Sequence, residues 1–211
     1  MTGRAAAVVL AVLTLTAGCS LLPGGATTFE AGTATVSEDA QSSTGYELER
    51  EETQDLNRSF AGQNVSVVNN LAEYGRSSNL PAFGDAKIAR FTLFATPQVR
   101  VADQGPFNPI GDLSNRELAL QLQEQYDTIQ NLRNQTNRTV TMLDEDTRVA
   151  RFRADATTAG GEEVEVFIHI TRVRHEGDFV LAAAIHPTQL EGEQENVDTL
   201  IEGVEHEGNE S

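Results

Sequence analysis

The spacing of apolar positions changes several times along the chain, and each change marks an expected element. An apolar run from Ala5 to Leu15 follows the single positive charge of Arg4. Its eleven residues fit the hydrophobic region of a signal peptide and fall short of the roughly 20 needed to span a bilayer. Ser20 to Thr28, with Pro23-Gly24-Gly25 inside it, reads as a flexible tether. An extended segment from Phe29 to Val36 leads to Ser37, an N-cap for a brief helix over Glu38 to Ser42 that ends near Gly45. Tyr46, Leu48, Leu56 and Phe60 then share one parity among charged neighbours, and Gly62 turns the chain into Val65, Val67 and Val68. This pattern predicts a polar, edge-lying hairpin with one wet face.

From Ala86 to Thr96 the chain is strongly apolar, with Ile88, Phe91, Leu93 and Phe94 as its bulk, and it reads as a strand that Pro97 ends. A loop over Gln104 to Asp112 precedes Ser114 and Glu117, which have the spacing of a capping box. Leu118, Leu122, Ile129 and Leu132 continue at helical spacing, so the helix is expected to run to about Leu132. Four strands follow, over Thr139 to Leu143, Thr147 to Thr157, Glu163 to His175 and Asp178 to Pro187, separated by Asp144-Glu145, Gly160-Gly161 and Glu176-Gly177. Val164, Val166, Ile168 and Ile170 alternate with Glu165, Phe167, His169 and Thr171, which predicts one face under the Ser114 helix and one in water. A last helix is expected from about Gln194 to His206, with Val197, Leu200, Ile201 and Val204 as its stripe.

The expected fold is α+β: an antiparallel sheet, built from the N-terminal hairpin and the C-terminal four-strand meander, packed with two amphipathic helices. The expected organisation is a signal peptide over residues 1–19, a tether over 20–28, one domain over 29–206 and an acidic tail over 207–211.

Thr16-Ala17-Gly18-Cys19 closes the apolar run with small residues before a cysteine. That is the arrangement a lipoprotein peptidase needs, and it makes Cys19 the expected lipidation site. Thr16 stands where the usual pattern has a large aliphatic residue. Cys19 is also the single cysteine, so the domain relies on its hydrophobic core and not on an internal disulfide.

Charge narrows the setting. The formal net charge is −17, from 32 acidic and 15 basic residues, and Lys87 is the only lysine. Such a surface repels nucleic acid phosphate, and its self-repulsion is screened in molar salt, so the composition suits a halophile. Asn57, Asn64, Asn134, Asn137 and Asn209 each stand two residues before Ser or Thr, which makes them candidate glycosylation sites facing outward.

Chemistry-bearing constellations are sparse. His169 and His186 are expected to meet across the Glu176-Gly177 hairpin, with Glu165 as a third donor, but the spacing fixes too few convergent ligands to assign a metal site. Asp144-Glu145-Asp146 lacks the glycine and terminal glutamate of a calcium loop. Arg148, Arg151, Arg153, Arg172 and Arg174 could gather at one sheet edge to hold an anion, yet Glu163, Glu165 and other carboxylates are their nearer partners. No Gly-x-Ser-x-Gly elbow and no glycine-rich phosphate loop occurs. No catalytic residue and no cofactor is assigned.

The Thr-Ala-Gly-Cys signal end, Ala34-Thr35-Val36-Ser37, the phrase from Phe107 to Leu118 and the stretch Asn137 to Leu143 resemble a family of haloarchaeal membrane lipoproteins, itself uncharacterised. The resemblance implies a membrane-attached exported protein and brings no catalytic residues. The order of expected elements also resembles, more weakly, the PsbP-like and mycobacterial LpqN-type domains. The functional expectation is a non-enzymatic binding or accessory module, lipid-anchored on the extracellular face of the cell membrane. Its partner would be a small apolar ligand or a membrane protein. The alternatives are a structural envelope component and a hydrolase with an unrecognised site.

Overall fold

The computed structural model describes residues 27–60, 63–77, 87–99, 108, 110–125, 128–158 and 161–209. The signal segment with Cys19, most of the tether, Gly62 and the Gly160 position lie outside the described residues. The elements are β1 (Thr27–Glu30), β2 (Thr33–Val36), α1 (Glu38–Thr44), β3 (Glu47–Phe60), β4 (Gln63–Ser77), β5 (Lys87–Pro97), α2 (Asn115–Gln125), β6 (Ile129–Met142), β7 (Glu145–Thr157), β8 (Glu163–His175), β9 (Asp178–Pro187), α3 (Glu193–Glu202) and β10 (Val204–Glu207).

This order overturns the α+β expectation. Among the described residues the chain is mostly β, with one large mixed sheet and three short helices. Antiparallel pairing runs β3-β4-β5-β9-β8-β7-β6. β1 joins β4 in parallel over Val65 to Val68, whereas β5 takes Asn70 to Ser77. Since β3 spans both stretches, β1 and β5 share the other edge of β4. β2 and β10 form a separate two-stranded sheet. The N-terminal hairpin and the meander are therefore parts of one continuous sheet, joined where β5 pairs with β9.

Alternation along the central strands buries both faces. Ala89, Phe91, Leu93 and Ala95 of β5, with Val180, Ala182 and Ala184 of β9, meet Val197, Leu200 and Ile201 of α3 and Ala40 of α1. Across the sheet, Leu118 and Ala119 of α2 cover Phe152 and Ile170, while Leu122 packs with Val166 and Ile168. The meander face expected in water is covered too, since His169, Thr171 and Val173 are buried on it. Burying one such aliphatic side chain contributes about 1.5–3 kcal/mol, so two covered faces give a thin domain a substantial core.

Local signals place the helices. Ser37 caps α1 by accepting from the Ala40 N–H, and Gly45 closes it at φ 72°. The Ser114–Glu117 box forms reciprocally: Glu117 Oε2 accepts from Ser114 N at 2.7 Å, and Glu117 N donates to Ser114 Oγ at 3.2 Å. The Ser114 helix nevertheless stops at Gln125, and Ile129 and Leu132 belong to β6. Their helical spacing is coincidental, because β6 is irregular. Its register shifts on both sides of Arg133, and Asn131 and Asn134 take positive φ there, which resets which residues face inward. The turn expected at Asp144-Glu145 falls one residue earlier, at Leu143-Asp144. α3 ends at Gly203, and Val204 to Glu207 form a strand where the last helix was expected.

The first strand begins inside the expected tether, at Thr27, and β10 takes in Glu207 of the expected tail. β3 is the edge strand read from its parity, exposed at both Leu48 and Leu56.

Candidate functional site

All four histidines meet in pairs, and the two pairs differ in what surrounds them. The first is the expected one. β8 and β9 place His169 diagonally from His186, with Nε2 atoms 3.0 Å apart and both rings buried. His186 Nδ1 lies 3.0 Å from the carbonyl of Pro187, so it carries the proton and Nε2 accepts from His169. His169 Nδ1 is left as a buried acceptor without a partner. Burial, then His186 and the nearby Arg138 and Arg151, push the His169 pKa down to about 2. Burial also lowers that of His186.

Glu165 does not join this pair. It is bonded to Arg153, and its Oε1 accepts from Arg133 at 2.9 Å. Arg133 also reaches Asp155 at 2.7 Å. Arg151 and Arg153 lie over the Phe167 ring, 4.6 and 4.9 Å from its centroid, and Arg151 donates to Gln194 at 2.7 Å. Arg153 thus pairs with a carboxylate, and Arg151 braces the fold through Gln194 and Phe167. Strand parity separates Arg172 from them, because it lies on the α2 side, where it donates to the carbonyls of Ile110 and Leu113. With Arg151 and Arg153 on its own face and Glu165 already taken, the His169–His186 pair is a poor cation site.

A further buried polar group sits at the start of α3. Glu193 pairs with Arg76 of β4 and accepts from the Tyr46 hydroxyl at 2.5 Å and from Asn196 Nδ2 at 3.2 Å. Burial and the adjacent carboxylate raise the Tyr46 pKa, so the phenol stays protonated. The group ties three distant segments together.

The second histidine pair was not foreseen. Glu176 and Gly177 turn β8 into β9 at φ 48° and 91°, a two-residue turn with both centres left-handed. His175 and Asp178 flank it as paired residues. β10 returns along β2 and brings in His206, whose Nδ1 lies 3.0 Å from Nδ1 of His175. On its other side, His206 Nε2 is 3.1 Å from Asp178 Oδ2. That oxygen also accepts from Gly32 N at 2.7 Å, while Gly208 N donates to Glu176 Oε2 at 2.8 Å. Both glycines are sterically required. A Cβ on Gly32 would lie 1.9 Å from the Glu207 carbonyl oxygen, and one on Gly208 2.7 Å from Glu176 Cβ. Glu176, His206, Glu207, Gly208 and Asn209 line an open polar depression of roughly 580 Å³.

A family model described as a domain of unknown function (DUF6517) matches residues 33–205. The chain belongs to the DUF6517 family. No curated protein matches it significantly. The matched span of the DUF6517 domain takes in every strand from β2 to β9 and all three helices, with His175, Glu176 and Asp178 inside it and His206 one residue beyond.

Among the described residues, the His, Asp and Glu side chains that converge as a group of three are His175, Glu176 and His206, their ligand atoms within 4.8 Å of one another. Asp144 to Asp146 form no such group, and Asp146 instead accepts from Thr141 at 3.0 Å. The signal for the missed pair lay in Gly203 followed by Val204-Glu205-His206-Glu207, whose alternation matches a strand better than a helix end. Asn57, Asn64, Asn134, Asn137 and Asn209 are all exposed. Cys19 lies outside the described residues, and no described helix is long and apolar enough to cross a membrane.

Proposed function

We propose that this chain is a lipid-anchored, extracytoplasmic protein of a salt-loving archaeon. In this reading it is a non-enzymatic binding module held on the outer face of the cell membrane through Cys19, and it takes its ligand in the depression at the β8–β9 turn. The observation that carries the binding reading is the convergence of His175, Glu176 and His206 beside the open polar depression that Glu176 and His206 help to line. The sheet and helix interfaces are filled by buried residues such as Phe91, Phe152 and Leu200, which favours a polar ligand over an apolar one slotted between the layers. The apolar run ending at Cys19 and the acidic, lysine-poor composition support the location. Exposure of all five sequon asparagines agrees with a surface that can carry glycans.

Replacing Cys19 with Ser and fractionating the cells tests the anchor. Release into the medium, or an unprocessed precursor, is the expected outcome, and a processed, fully membrane-bound product would contradict it. Native mass spectrometry of the protein from its own membrane tests the binding reading, since a retained ligand should be lost from the Glu176→Gln variant.

A further inference from the structure

We propose that His175, Glu176 and His206 form a site for a divalent transition-metal ion of the zinc class, held by two imidazole Nδ1 atoms and one carboxylate oxygen. This rests on reading the depression at the β8–β9 turn as the binding site. Water would complete the shell, because the depression is open to solvent on the side of Glu176 and Asn209.

The donors are already poised. Because Asp178 accepts from Nε2 of His206, the His206 proton is fixed there and its Nδ1 lone pair faces His175. In the metal-free state His175 donates its Nδ1 proton to that lone pair across 3.0 Å. An ion replaces this hydrogen bond when the His175 proton moves to its own Nε2, which leaves both Nδ1 lone pairs free to bind it. Two metal–nitrogen bonds at the tetrahedral angle set their nitrogens roughly 3.3 Å apart, a few tenths of an ångström wider than observed. The exposed Glu176 side chain closes the rest of the gap.

The support around the donors is what a metal requires. An imidazole ligand whose far nitrogen is held by a buried carboxylate is the usual outer-shell device, and Asp178 supplies it with the Gly32 amide as its own anchor. Glu176 is held in the left-handed region at φ 48°, where Asn or Gly would be less strained. The Gly208 N–H fixes one of its oxygens. Backbone strain spent on a glutamate at the mouth of the site is accounted for if that carboxylate is a ligand. Two nitrogen donors also discriminate against magnesium and calcium, which prefer oxygen shells, so the site would work in brine rich in those ions.

The purified full chain, in detergent and molar KCl after chelator treatment, is titrated with Zn²⁺ alone by calorimetry, then with a large excess of Mg²⁺ present. One ion per chain is expected, undisturbed by magnesium, with binding lost in His175→Ala and weakened roughly tenfold or more in Glu176→Gln. Both substitutions lie at the hairpin end, and circular dichroism of each confirms the fold. No binding by the native chain, or unchanged binding in both variants, overturns the site. The outcome separates from that of the wider reading. A failed titration with another ligand retained in the native protein removes the metal and leaves the module, whereas a zinc-binding chain still membrane-bound after Cys19→Ser removes the anchor and leaves the metal.

Discussion

Asp178 and His206 meet at 3.1 Å across 28 residues of sequence, and this contact sets the tautomer on which the site depends. Asp178→Asn isolates the effect. An amide oxygen can still accept from both Gly32 N and His206 Nε2, so the fold is kept and only the negative charge is lost. Zinc affinity should fall about 10–100-fold, while the melting temperature of the metal-free protein changes little. Equal affinity in the two proteins would mean that Asp178 serves β10 docking alone.

Arg76 and Glu193 form the ion pair that joins β4 to the start of α3, with the Glu193 side chain fully buried. Arg76→Ala strands that carboxylate and should destabilise the domain by about 3–5 kcal/mol in urea unfolding at constant salt. Replacing both residues with Met should recover most of the loss, because no buried charge then remains. Equal loss in the single and double variants would show that the pair acts through packing.

The sealed histidines predict acid sensitivity. Above about pH 6.5, His169 and His186 are neutral in folded and unfolded chains alike and contribute no pH dependence. Below it, the unfolded chain takes up protons that the folded one refuses, because burial depresses both folded pKa values, that of His169 to about 2. Stability is therefore lost as pH falls, with a slope approaching about 1.4 kcal/mol per pH unit from each histidine. Urea midpoints between pH 7.5 and 5.5 measure it, and a flat profile would mean that the pair is reached by water.

β8 is covered on both faces. Ile168→Asp under α2 and Val173→Asp on the α3 side should each cost several kcal/mol, since each buries an unpaired carboxylate. Glu165→Gln, at a partly exposed ion pair, should cost under about 1 kcal/mol. A mild effect of Val173→Asp, measured by denaturant unfolding in high salt, would restore the wet face.

Where alternation was regular, the sequence showed the structure. The β7, β8 and β9 strands, the Glu176-Gly177 turn, the Ser37 and Ser114 caps and the edge position of β3 follow from parity and turn chemistry alone. Ile129 and Leu132 misled because the bulges of β6 space its apolar residues like a helix. The second face of β8 was hidden because His169 and Thr171 read as polar and wet, although both are buried. Half of the site was visible as His175-Glu176-Gly177-Asp178. The other half depends on a return strand that pairs His206 opposite Ala34, a contact between chain ends that no local pattern encodes.

The most direct test is an anomalous difference map, recorded at the zinc edge, from crystals of the full chain grown with Zn²⁺. A single strong peak about 2 Å from both His175 Nδ1 and His206 Nδ1, with Glu176 turned toward it, is the predicted result. A map with no peak there, or with its peak at His169 and His186, would contradict the site.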